Sequence, residues 1–205
     1  HSYPVIINTP PVCYVGADAR QSGTYQGEIV RDLPNHGDIN GDGVVSYVMV
    51  VGDPENPDAQ YRTEFSVKAL TDAGKEVECL YEYLDNWDQT TAQQDVSNAL
   101  SQYGDKIEVV FCNNDAMALG ALQSIQQANR TVGKDIYLVG VDALAEAVQD
   151  VLDGNMTGTV LNDAVGQATK AAVATKPFVD GKDVEYYYCV DYVKATNDNA
   201  SQYLK

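Results

Sequence analysis

The run VVSYVMVV, residues 44–51, narrows most what this chain can become. It has strand length and is apolar at nearly every position. Side chains of a strand alternate between two faces, so both faces of this one must be covered. Continuous runs of this kind belong to parallel sheets packed between helices. The rest of the chain repeats the pattern. YPVIINT (3–9), VCYVGAD (12–18), EVECLYEYL (76–84), KIEVVFCN (106–113), DIYLVGVD (135–142), GTVLN (158–162) and VEYYYCVDYV (184–193) read as strands. Helical segments are expected over 22–33, 58–74, 90–103, 115–129, up to about 152, and 163–178, with Asp58 near one start and Gly74 at one stop. Repeated β–α units of this kind predict an α/β fold built on a doubly wound parallel sheet.

In such sheets ligands gather outside the carboxyl ends of the strands. The polar residues of this chain concentrate there: NPD follows strand 44–52, NWD follows 76–84, NND follows 106–112, VD ends 135–142 and ND ends 158–162. Asn and Asp after strands are also common helix caps. Five such ends together, one of them carrying the only Trp, point to a site. Nucleophilic or phosphoryl-transfer chemistry finds no support. The chain has only His1 and His36, and it has no Cys–His pair, no Ser–His–Asp set and no GxxxxGK loop. A net charge of −17 opposes binding to a phosphate backbone, so no nucleic-acid partner is expected. No run of about 18 apolar residues could span a membrane as a helix. Cys13, Cys79, Cys112 and Cys189 are widely spaced and read as buried thiols.

A mixture of Asn, Asp, Arg and Trp suits an uncharged polyol. Carboxylates accept from sugar hydroxyls, a guanidinium donates to them, amides do both, and an indole covers the C–H face of a pyranose. A second motif lies at HGDINGDGVVSY (36–47). Asp38, Asn40, Asp42 and Gly43 match the front of a calcium loop, followed by the Val44 carbonyl and Ser46. The twelfth position, where a helix–loop–helix site places its bidentate Glu, is Met49 inside a strand. A carboxylate from another element must then close the shell, and Glu108, which interrupts an apolar strand, is the candidate.

Several stretches together, YVGADARQSGTYQGEI, DINGDGVVSYVMVVGDPENPDAQYRTEF, KIEVVFCNNDAMALGAL, VGVDALAEAV and GTVLNDA, resemble the periplasmic glucose/galactose-binding proteins of sugar ABC transporters. The resemblance implies the type I periplasmic-binding-protein fold, with the C-terminal lobe complete and the N-terminal lobe partial. It divides the chain into 1–10, a strand of the N-terminal lobe; 11–161, a Rossmann-like C-terminal lobe; 162–191, a helix and strand of the N-terminal lobe; and 192–205, a hinge return and C-terminal segment. The family's HPDxxxR motif falls on Asn56, Pro57, Asp58 and Arg62, with Asn in place of His. Asn56, Asp58, Arg62, Trp87, Asn114, Asp142 and Asn162 are the implied sugar contacts. The implied calcium ligands are Asp38, Asn40, Asp42, Val44, Ser46 and Glu108, with Ser46 where the family often has Gln.

The resemblance further implies a D-glucose or D-galactose ligand, an ABC transporter permease as partner and, in some bacteria, a chemoreceptor. It implies a periplasmic or extracellular location, free or lipid-anchored, and no enzymatic activity. About the first hundred residues of the family pattern are not matched, so a truncated chain is expected, its missing piece supplied separately or replaced by self-association, with impaired sugar binding. The competing reading is the ligand-sensing core of a lac-repressor-type regulator, which shares the fold. The negative charge and the calcium loop argue against it. A sugar isomerase or hydrolase using Asp58, Asp142 and Arg62 is the third reading, and it lacks a catalytic His.

Overall fold

The computed structural model describes residues 13–204, so the expected strand 3–9 and the segment 1–10 lie outside the described residues. The elements follow in the order β1 (Tyr14–Gly16), α1 (Ala19–Arg31), β2 (Val44–Val51), α2 (Pro57–Thr71), β3 (Glu76–Leu84), α3 (Gln89–Tyr103), β4 (Val109–Cys112), α4 (Asp115–Gln127), β5 (Tyr137–Val139), α5 (Ala145–Leu152), β6 (Thr159–Leu161), α6 (Ala164–Val179), β7 (Tyr187–Cys189) and β8 (Val193–Ala195). Short 3₁₀ turns occupy Gly104–Lys106 and Ala200–Tyr203.

The apolar run of β2 ends where its composition requires, in the middle of a sheet. The order is β3-β2-β4-β5, all parallel, as expected for a doubly wound α/β fold. Val45 to Val51 are all buried. One face of the sheet (Val48, Val50, Val110, Cys112, Leu138) joins a core with Ala92, Val96 and Ala99 of α3 and with Met117, Ala121 and Ile125 of α4. The opposite side carries α1 and α2, which pack closely on each other. Gly27 makes that approach possible: a Cβ there would sit 2.1 Å from the Ser66 carbonyl oxygen. β6 extends the sheet beside β5 through the parallel bridges Val139–Gly158 and Asp142–Leu161, and it pairs antiparallel with β8.

Two compact units are distinguishable. The larger holds Ala19–Asn162 and Tyr192–Lys205; the smaller holds the chain up to Asp18 and Asp163–Asp191. Within the smaller unit β1 pairs parallel with β7, Tyr14 stacks on Tyr187, and α6 packs against β1. Two expectations change. Residues 14–16 group with the smaller unit and not with the 11–161 segment, because their backbone partners are Tyr187–Cys189. The expected strand 184–193 divides into β7 and β8, because its two halves pair in different sheets. Of the four cysteines, all free thiols, Cys112 alone is buried. Cys79 is exposed, since β3 lies at the sheet edge.

Candidate functional site

The carboxyl edge of the larger unit's sheet gathers the polar strand ends, and Arg62 is their centre. Its helix α2 starts directly after β2, where Pro57 occupies the first turn and the Asn56 side-chain oxygen accepts from the Asp58 N–H at 2.9 Å. One turn later on the same face comes Arg62, 4% exposed. Its Nη1 donates to the Asn113 carbonyl at 2.7 Å, which ties the helix to the end of β4. Nη1 lies 3.7 Å from Asp142 Oδ1, and Nη2 lies 3.7 Å from Asp58 Oδ2. Nη2 also reaches the Tyr192 hydroxyl at 3.5 Å. The guanidinium carbon sits 5.8 Å from the centre of the Trp87 ring, within cation–π range.

Trp87 is aimed by an unusual turn. Asn86 and Trp87 hold φ of 50° and 68°, both left-handed without glycine. The space for the indole comes from Gly52 at the end of β2, where a Cβ would sit 2.3 Å from Trp87 Cζ2. Asp142 (φ 119°) and Ala143 (φ 54°) form a second such turn after β5. Conformations of this kind cost roughly 1–3 kcal/mol each and persist where the surroundings over-determine them, most often at functional sites. The Asp142 carboxyl is pushed up by burial and by Asp58, and held back by Arg62 and a hydrogen bond with Asn162. Asn114 lies beside Asp142, because the Asp115 N–H donates to the Val141 carbonyl at 2.7 Å. The Asn114 oxygen caps α4 at Met117 N–H, 3.0 Å.

Four of the seven expected sugar contacts, Asp58, Trp87, Asp142 and Asn162, thus surround the buried guanidinium of a fifth, Arg62, or its direct partners. Asn56 and Asn114 both spend their side-chain oxygens on helix caps, which leaves their amide nitrogens outside the caps. Tyr192 was not anticipated; it follows β7 by sequence and gives no motif. Asn113, the first Asn of NND, carries no local signal of its role either. Its side-chain oxygen accepts from the Gly52 N–H at 3.1 Å and its amide donates to Thr63 Oγ1 at 3.2 Å, joining β2, β4 and α2 beneath the site.

The 38–46 loop folds around its own carboxylates. Asp38 accepts from the Gly41 and Gly43 N–H groups at 2.7 and 3.0 Å, Asn40 accepts from Asp42 N–H, and Asp42 accepts from Val44 N–H. Glu108, 1% exposed, reaches into the loop from the start of β4. Its Oε1 accepts from Ile39 and Asn40 N–H at 2.6 and 3.0 Å, and its Oε2 accepts from Ser46 N–H at 2.9 Å. Ser46 Oγ lies 3.5 Å from Glu78 Oε2. The donor set is all oxygen, the chemistry calcium requires. Among the described residues, no three His, Cys, Asp or Glu side chains converge as a metal-ligating group. Glu108 joins this loop through hydrogen bonds, and Asp38, Asn40, Asp42 and Glu108 each also accept from a backbone amide.

The profile described as periplasmic binding protein domain matches residues 2–183. The chain belongs to the periplasmic binding protein family. It is similar to the D-galactose/methyl-galactoside binding periplasmic protein of Haemophilus influenzae, 34% identical over 94% of this chain and 61% of that protein. Among solved structures it is similar to a solute binding protein from Bacillus halodurans with bound myo-inositol, TM-score 0.80, 26% identical, covering 94% of this chain and 63% of that one. A periplasmic solute binding protein from Actinobacillus succinogenes with bound D-allose shares the fold, TM-score 0.81, 19% identical, over 94% and 64%. The type I periplasmic-binding-protein architecture read from the sequence is therefore the architecture of this chain. The chain spans somewhat under two thirds of the length of these relatives.

Proposed function

We propose that this chain supplies the C-terminal-lobe half of a monosaccharide site in a solute-binding protein that delivers D-glucose or D-galactose to an ABC transporter permease in the periplasm. The observation that carries this reading is Arg62, whose two Nη atoms face two carboxylates while its flat guanidinium lies against the only indole. In that arrangement Asp58 and Asp142 accept from ring hydroxyls, Arg62 donates, Trp87 covers the apolar face, and Asn56, Asn114 and Asn162 offer amide groups. The named ligands of similar proteins, a galactoside, an inositol and an allose, are all polyols of this size. A chain contributing one side of a cleft buries less of the sugar than a whole protein, so millimolar affinity is expected here. Titration with D-glucose and D-galactose, followed at the Trp87 indole N–H by NMR, tests it. Saturable shifts that vanish in Asp142→Asn support the reading, and saturable shifts that persist undiminished in that variant overturn it.

We further propose calcium as the ion of the 38–46 loop, held by Asp38, Asn40, Asp42, the Val44 carbonyl, Ser46 and Glu108. The D-x-N-x-D-G spacing and the burial of Glu108 support this. Calcium would join the loop to the sheet, as Glu108 already does through hydrogen bonds. A melting temperature that rises with calcium and not with magnesium supports it. An equal response to both ions, or to neither, contradicts it.

A further inference from the structure

The Asp115 side chain makes none of the contacts around Arg62, yet it is completely buried. Its Oδ1 accepts from Thr159 Oγ1 at 2.6 Å and its Oδ2 accepts from the Leu144 N–H at 2.8 Å. Thr159 Oγ1 in turn accepts from the Ala143 N–H at 3.3 Å. The two amides that follow Asp142 in sequence are therefore both tied to this pair. On its other side, the Asp142 N–H donates to the Val160 carbonyl at 2.8 Å. Between these anchors the backbone holds φ of 119° and 54°, which Asp and Ala rarely adopt unaided. Gly140 makes room for the arrangement, since a Cβ there would lie 2.1 Å from Asp115 Oδ1. A buried carboxylate is costly unless its oxygens are satisfied, and these are satisfied by groups of the Asp142 turn and by the threonine that supports it.

We infer that Asp115 and Thr159 are positioning residues that hold the Asp142 turn in its left-handed form and so set the Asp142 carboxylate beside Arg62. Why that position matters rests on the sugar-site reading; the positioning itself is measurable without sugar. Thr159 is the clearest lever. Valine keeps its shape and removes both hydrogen bonds, whereas serine keeps the hydroxyl. Burial pushes the Asp115 carboxyl up to about 7 despite its donors, in keeping with a group retained for what it holds.

The test is a carboxyl-carbon NMR titration of Asp142 in the labelled chain, with the Ala143 and Leu144 amide resonances followed alongside. Thr159→Val and Asp115→Asn are expected to displace the Asp142 titration and both amides while the β2 and β4 amides stay in place. Thr159→Ser is expected to restore the parent values. An unchanged Asp142 titration in folded Thr159→Val, or a Thr159→Ser variant as altered as Thr159→Val, overturns the inference. Thr159→Ala, which removes the hydroxyl and leaves every charge in place, carries the same comparison should Thr159→Val not fold. Sugar titration adds a second readout. Thr159→Val is expected to weaken binding about tenfold and Thr159→Ser to restore it; unchanged affinity in folded Thr159→Val would separate the threonine from the Asp142 contact. If Asp142→Asn leaves sugar binding intact, the sugar-site reading fails, while the Asp142 titration still decides the positioning.

Discussion

Ala143 keeps φ at 54° while its methyl group packs against the hydrophobic core. An L-residue in this region costs roughly 1–2 kcal/mol, a cost glycine avoids. Ala143→Gly relieves that strain and gives up the packed methyl, so stability should stay level or rise by up to about 1 kcal/mol in urea unfolding; a loss above about 1 kcal/mol would mean that packing outweighs the strain. Asp85 is a second residue under tension. It is 1% exposed. Burial, a side-chain hydrogen bond with Asp95 and the charges of Asp95 and Asp88 push its carboxyl from 3.8 up to about 7. The unfolded chain releases this proton near 3.8 and the folded chain near 7, so the folded state holds more protons between those values. Stability from this group is then greatest below about pH 4 and is lost as pH rises through about 7. Asp85→Asn should raise Tm at pH 8 by roughly 4–8 °C and change it little at pH 4. Equal shifts at both pH values would refute this origin. The sequence motifs pointed to residues that face outward at strand ends. Asp115 with Thr159 and Arg62 with Tyr192 are pairs 44 and 130 residues apart. Such pairs meet through the fold, and no local pattern announces them.

At the scale of elements, polar strand ends proved to have two uses at once. Asn56, Asp88 and Asn114 each cap the helix that follows, as their chemistry predisposes, while the same turns bring Asp58, Trp87 and Asp142 together. Asn56→Ala should cost about 1 kcal/mol of stability through the cap alone; no change in chemical denaturation would show that the cap is idle. Glu108 links two elements by three N–H···O bonds. A Gln there is neutral and accepts through one oxygen only, so Glu108→Gln should cost about 2–4 kcal/mol even without metal. Should calcium bind as proposed, its effect on Tm should shrink in the same variant; an undiminished effect would remove Glu108 from the ligand set. The strands and helices of the larger unit were readable because burial on both faces imposes continuous apolar runs. The β7–β8 division was not, because only Asp191 interrupts the apolar run between the two sheets and no Gly or Pro marks the change.

At the scale of the whole molecule, a net charge of −17 acts on the folded state as self-repulsion. Raising salt from 0.02 to 0.5 M should therefore increase Tm by about 2–5 °C, and a flat response would imply that local ion pairs offset the repulsion. The same balance applies in miniature around Arg62. Two carboxylates, Asp58 and Asp142, flank a single guanidinium, and Asp115 lies buried behind them. The cation is already outnumbered before any ligand arrives. Sugars bearing their own negative charge, uronates and sugar phosphates, would meet carboxylates with no spare positive partner and would have to surrender hydration as well. Neutral aldoses face no such opposition, and a protonated amino sugar would encounter attraction. In the proposed sugar site, the placement of one arginine between two aspartates would thus act as a filter on the ionic state of what enters, before any hydroxyl is read.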